Sequence, residues 1–387
     1  MYYFDFDLDE YLYNHKYLFS YVKAYLKKNN ILKSDFVKKL QMSYSNYCQL
    51  EGRNSHLKDE HVNNICREMN VKRIDAFKLK EYSATISRIY TKIYFKKKND
   101  IDFEIKLLDD YILDNNILAP IFELFKLIIN IVFDNNSIKR QRELYYQKYQ
   151  ELKCFEDVFS DAIETVFIMA ACKIEPSSKL DFNRIEIAVT RFTPIKALVY
   201  HFIGSMYYYE QNYGKALLYE LAVQKDFQNN YNPVRLMDTT NCLLCIYNAT
   251  GEYLLVYDTI KPLIGYIFYG SSSPGEVTAL KYNFYFSLFF MRMDDELMKY
   301  IKGDKLDNVD ITFLIFKYAK DNDEKNISNL AKCINKENFD NYAILDFFLN
   351  YKTKSEEDIN KFIDEIPDQL NRKIITAIIR KDLTYNG

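Results

Sequence analysis

Tryptophan is absent from these 387 residues, and only nine glycines and seven prolines punctuate them. So few helix breakers leave long helices as the default secondary structure. There is no Gly-rich phosphate loop and no serine-nucleophile elbow, which removes the commonest nucleotide-binding and hydrolase signatures. Four histidines, His15, His56, His61 and His201, show no metal-ligand spacing. Cys242-x-x-Cys245 lacks the second ligand pair that a zinc site needs, so it reads as packed thiols. Carboxylate runs such as Asp294-Asp295-Glu296 fall at expected turns, where solvation is the default. The expectation is a protein without cofactor or metal and not an enzyme.

A membrane-spanning run is lacking too. The most apolar stretch, Ile117 to Phe133, is broken by Pro120, Glu123, Lys126 and Asn130. No basic region followed by an apolar signal segment opens the chain, and seven scattered cysteines are an odd set, so a reducing cytoplasm and no membrane partner are expected.

What is present is an uneven charge. Residues 18–98 carry 18 Lys and Arg against 7 Asp and Glu, a balance of +11 inside a chain of net charge −2. A basic head on an acidic body implies nucleic acid at one end only. The first 17 residues are acidic and aromatic, and they suit docking on the basic head or on a partner subunit.

Apolar periodicity predicts helices from Leu18 to Asn29-Asn30, from Ser34 to Leu40 and, after Gln41-Met42 and a capping Ser43, from Tyr44 to Glu51. Two more runs follow, around Val62 to Met69 and at Ile74 and Phe77. The stretch Lys33 to Glu51, followed by Gly52-Arg53, resembles the helix-turn-helix of the phage-repressor, or XRE, class over residues 18–77. It departs from that pattern in having Lys33 in place of the usual glutamine and Gly52 directly after Glu51. A recognition helix in the major groove would present Tyr44, Ser45, Asn46 and Gln49 to base edges while Tyr47 and Leu50 stay inside. Lys33, Ser43 and Arg53 would approach phosphate, with Lys38, Lys39 and Lys58 as further candidates.

Beyond residue 83 helical periodicity persists. Tyr207-x3-Gln211-Asn-Tyr213 recurs as Tyr247-x3-Gly251-Glu-Tyr253, 40 residues on, with weaker echoes at Phe290-x3-Asp294, Tyr318-x3-Asn322 and near Phe348. This resembles tetratricopeptide repeats, in which stacked helix pairs leave a groove. The resemblance places His201, Asp238, Asn241 and Asn248 on the groove face, beside Leu198, Ser205, Tyr208 and Cys245. Arg235 and Lys281 are then available for a carboxylate of an extended peptide.

Head and body together resemble the peptide-sensing RRNPP regulators of Gram-positive bacteria and their phages, the group of the Rgg, PlcR and PrgX types and the arbitrium receptors. That resemblance implies an all-α fold, an XRE-type head followed by a TPR-like right-handed solenoid. It divides the chain into an extension (1–17), a DNA-binding domain (18–77), a linker helix (78–98) and a repeat domain (99–387). It further implies a homodimer on double-stranded, palindromic operator DNA, modulated by a short signalling peptide. Two rival expectations stand beside it: a Rap-like scaffold for a protein partner, and a repressor whose groove is filled by its own N-terminus.

Overall fold

The computed structural model describes residues 4, 6–52, 57–96, 101–133, 138–191, 196–269, 274–301, 306–334, 336 and 341–381. Among these the chain is all-helical and contains no strand. No helix among them is long and apolar enough to cross a membrane.

Polar residues start the helices. The side chain of Asn14 accepts the Lys16 amide, Asp75 accepts that of Phe77, and Asp307 accepts those of Val309 and Asp310 in a full capping box. Each satisfies an amide that the first helical turn leaves without a partner. Helices end on a residue in the left-handed region: Asn30, Gln41, Asn70, Gln211, Tyr231, Arg292 and Asn322 lie at φ between 50° and 62°. The following amide then reaches back five residues, as Asn212 does to the Tyr207 carbonyl at 2.9 Å and Asp323 to that of Tyr318 at 2.8 Å.

Gly251, at φ 95°, is the one glycine among the described residues that serves in this way, closing on Tyr247 through the Glu252 amide at 2.8 Å. The same bond corrects the expected repeat at Phe290-x3-Asp294. There the Met293 amide closes on Leu288 at 3.0 Å, so the register is Leu288-x3-Arg292. The expected echo near Phe348 has no such turn, because helix Tyr342–Asn350 runs on into the 3-10 turn Tyr351–Thr353.

The chain forms two compact units, 1–236 and 237–387. That division falls inside helix Pro233–Thr250 and does not coincide with the expected boundaries at 17, 77 and 98.

In the first unit, helix Ala119–Phe133 is buried on nearly every side and packs against helices Ile101–Leu113 and Asp161–Ile174. The stretch expected as a linker, residues 78–98, falls mostly in helix Ala76–Tyr94, with Leu79, Tyr82, Ile86, Ile89, Tyr90 and Ile93 in the core, while residues 97 and 98 lie outside the described residues. It is clamped to the next helix by Glu104, which accepts from Arg88 at 2.7 Å and from Lys92 at 2.9 Å. Burial alone would raise the Glu104 carboxyl, but these cationic hydrogen bonds outweigh it and hold the group below its ordinary value.

In the second unit, helix Tyr253–Ile260 packs on Pro274–Phe290, and Asn308–Lys320 on Glu324–Cys333 and Gln369–Arg380. Phe284, Phe286, Phe289, Phe313 and Phe316 fill the middle.

Candidate functional site

Helices Lys33–Lys39 and Tyr44–Gly52 are joined by a short connection with Gln41 at φ 53°. Ser43 caps the second helix, its hydroxyl accepting the Asn46 amide at 3.2 Å. Tyr47 is buried, with edge contacts to Phe19 at 5.6 Å and Phe36 at 6.5 Å between ring centroids. That anchor turns Tyr44, Ser45, Asn46 and Gln49 outward, and all four are exposed. Leu50, expected inside, is half-buried. Lys38, Lys39 and Lys58 are exposed as well, whereas Arg53 lies outside the described residues.

Lys33, expected as a phosphate contact, is half-buried and already paired. Its ammonium pairs with Glu51 across the two helices and lies 5.2 Å from the Tyr47 ring and 5.7 Å from that of Tyr44. The hydrogen bond to Glu51 raises its pKa and keeps it charged.

The residues expected to line a groove are mostly packed inside, and several have a structural partner. In the first unit, helix Lys196–Tyr209 is buried from Ala197 to Tyr207 because Asp161–Ile174 covers it on one side and Tyr213–Asn229 on another. His201 therefore points into a helix interface, where Nδ1 lies 3.0 Å from Glu220 Oε2. Gly204 makes room for that carboxylate, since a Cβ there would stand 2.6 Å from Glu220 Oε1. Leu198 and Ser205 are equally enclosed. The Arg235 guanidinium is buried at the end of helix Ala76–Tyr94, donating to the carbonyls of Ile93 at 2.5 Å and Tyr94 at 3.1 Å.

In the second unit, Asn248 is fully buried and donates to the Asn283 side chain at 2.9 Å and its carbonyl at 3.1 Å. Lys281 is buried between Asp307 at 2.7 Å and Asp310 at 2.6 Å. Asp238 and Asn241 are half-buried, and the Asn241 side-chain carbonyl is enclosed without a hydrogen-bond partner among the described residues. His201, Arg235, Asn248 and Lys281 thus join helices together and form no open face for a peptide.

The acidic, aromatic start, expected to dock on the basic head or on a partner subunit, is held inside the first unit. Phe4, Phe6, Leu8 and Tyr11 are buried in the first unit, while Asp7 and Asp9 are exposed. The Phe6 amide donates to the Ser87 hydroxyl at 2.9 Å and the Leu8 amide to that of Ser83 at 3.3 Å. Phe4 meets the Tyr90 ring edge-on at 4.8 Å, and Phe6 meets Phe125 in the same way at 5.6 Å. The Tyr11 hydroxyl accepts the Ser160 amide at 2.9 Å. The acidic start thus docks on helix Ala76–Tyr94 and its neighbours. Its signal was the strict alternation Phe4-Asp5-Phe6-Asp7-Leu8-Asp9, the period of an extended segment with one face covered.

No protein-family model, curated protein or solved structure matches this chain.

Proposed function

We propose that this chain is a sequence-specific DNA-binding protein and regulates transcription, with helix Tyr44–Gly52 lying in the major groove. One observation carries the reading. Ser45, Asn46 and Gln49 form an exposed polar row on a short helix that Tyr47 and the Lys33–Glu51 pair hold from behind, within a segment of balance +11.

Asn46 and Gln49 each have the amide geometry for a bidentate pair with adenine. Lys38, Lys39, Lys58 and Arg53 supply phosphate contacts, and the amides at the Ser43-capped helix start add to them. Lys33 serves as a brace that fixes the angle between the two helices. Two copies of the chain would read the two halves of an inverted repeat. A short peptide shifts the population between DNA-binding states, and it does so away from His201, Arg235, Asn248 and Lys281, which have no open face to offer.

The test is selection of genomic fragments by the purified full chain at physiological salt. The expected result is enrichment of one palindromic site. Asn46→Ala and Gln49→Ala should each cost about 1–3 kcal/mol at that site, with the helical content unchanged because both side chains are exposed. If neither substitution matters, the reading helix is misassigned. Weak, salt-sensitive binding without enrichment would instead support a scaffold for a protein partner.

A further inference from the structure

The N-terminal segment is bound in the manner of a peptide ligand. Its alternate amides, Phe6 and Leu8, donate to Ser87 and Ser83, hydroxyls four residues apart on one helix. Two residues of extended chain span roughly 6.6 Å and four residues of helix rise about 6 Å, so the two rows stay in step as the segment runs antiparallel to the helix. Thr91 continues the hydroxyl row one turn further. These bonds read only backbone, and would hold any extended chain.

Selectivity comes from the side chains between them. Phe4 and Phe6 both contact the Tyr90 ring, at 4.8 and 5.3 Å, and Leu8 is fully enclosed, while Asp7 and Asp9 face water. The segment also leaves one group of the wall unanswered. The Tyr90 hydroxyl beneath it is buried and has no hydrogen-bond partner among the described residues.

We infer that the face of helix Ala76–Tyr94 marked by Ser83, Ser87 and Tyr90, with Phe125 beside it, is a peptide-binding site. Its ligand is an extended peptide with apolar, preferably aromatic, side chains at alternate positions and acidic ones between, and residues 4–8 are a built-in occupant that such a peptide displaces. The inference does not rest on the DNA-binding reading, because binding is measured without DNA and either can fail alone.

The experiment uses the full chain, a variant lacking residues 1–8, and a labelled synthetic peptide of residues 1–10, followed by fluorescence anisotropy. The truncated chain should bind saturably, and the full chain about tenfold or more weakly, because its own segment competes. Ser83→Ala with Ser87→Ala in the truncated chain should weaken binding about tenfold, the effect of two lost hydrogen bonds. A peptide of the same composition with its aromatic residues moved one position should not bind.

A folded truncated chain that ignores the peptide, or one that binds the shifted peptide equally, overturns the proposal and leaves residues 4–8 as ordinary core. Should the truncated chain fail to fold, Phe6→Ala in the full chain replaces it. Excess peptide should then raise that variant's thermal midpoint toward the native value, and the absence of any shift overturns the proposal just as well.

Discussion

Lys373, on helix Gln369–Arg380, is a cation held by groups without formal charge. Its ammonium donates to the carbonyls of Asn248 and Ala249 at 2.9 and 3.0 Å and stands 5.1 and 5.5 Å from the rings of Tyr253 and Phe290. Those carbonyls belong to the last turn of helix Pro233–Thr250, which lacks intrahelical donors for them. Burial pushes the group down to about 8 from its usual 10.5, against the pull of the carbonyls and ring faces. The unfolded chain therefore binds this proton more tightly, and this group's own contribution to stability should rise as pH increases from 8 toward 10, opposite in sign to that of the buried tyrosines, whose pKa values are raised. Lys373→Met should flatten that rise in urea unfolding curves, whereas an unchanged slope would place its origin elsewhere. Polar side chains of this kind explain where reading from sequence fell short. Asn248, Lys281 and Arg235 were legible as polar residues at helical spacing, but spacing does not say whether a neighbouring helix supplies a partner. Tyr47 and the row Tyr44, Ser45, Asn46 and Gln49 were legible because one large aromatic among short polar residues fixes which side faces in.

Helices were the most legible elements, since their signals are local. Tyr44–Gly52 and Lys33–Lys39 lie within a residue of expectation, because Ser43 and the breaks at Asn29-Asn30 and Gln41-Met42 mark the boundaries chemically. The repeat register near residue 290 was less legible. It is set by a backbone bond into the left-handed turn, and Arg292 carries no turn signature in its side chain. Such turns are the cheapest place to stabilise the fold. Gln211 is exposed at φ 62°, a conformation that glycine adopts without steric strain. Gln211→Gly should raise unfolding stability by about 1 kcal/mol, the scale of the left-handed penalty for a residue with a Cβ. A loss of stability in the same measurement would mean that the side chain contributes more than the turn costs.

Within the first unit the head is built into the body. Helix His15–Lys28 buries seven residues, more than one face requires: Phe19 turns to Tyr47 of the head, while Tyr21 packs on Phe155 at 5.3 Å. Lys72 and Asn70 are bonded to Asn115 at 2.8 Å, and Asp114 accepts from Lys78 at 2.7 Å and Tyr82 at 2.8 Å. A fragment of residues 15–75 exposes Tyr21 and loses these bonds, so it should show little cooperative thermal unfolding by circular dichroism. A sharp transition would mark it as an independent domain. Sequence alone suggested such independence because five short helices and the resemblance to an XRE head fall within residues 18–77, and local periodicity does not say which apolar faces meet.

The docked N-terminus also bears on how the molecule is made. Tyr11 is tied to Ser160 and Phe6 touches Phe125, so residues 6–11 have no complete site until synthesis has reached Ser160. At elongation rates of about 5–20 residues per second, the roughly 150 residues between them take about 8–30 s, during which the aromatic, acidic segment has no site. The segment is thus made before its site and settles late, and in that interval the helix face it covers is open to any other chain that fits.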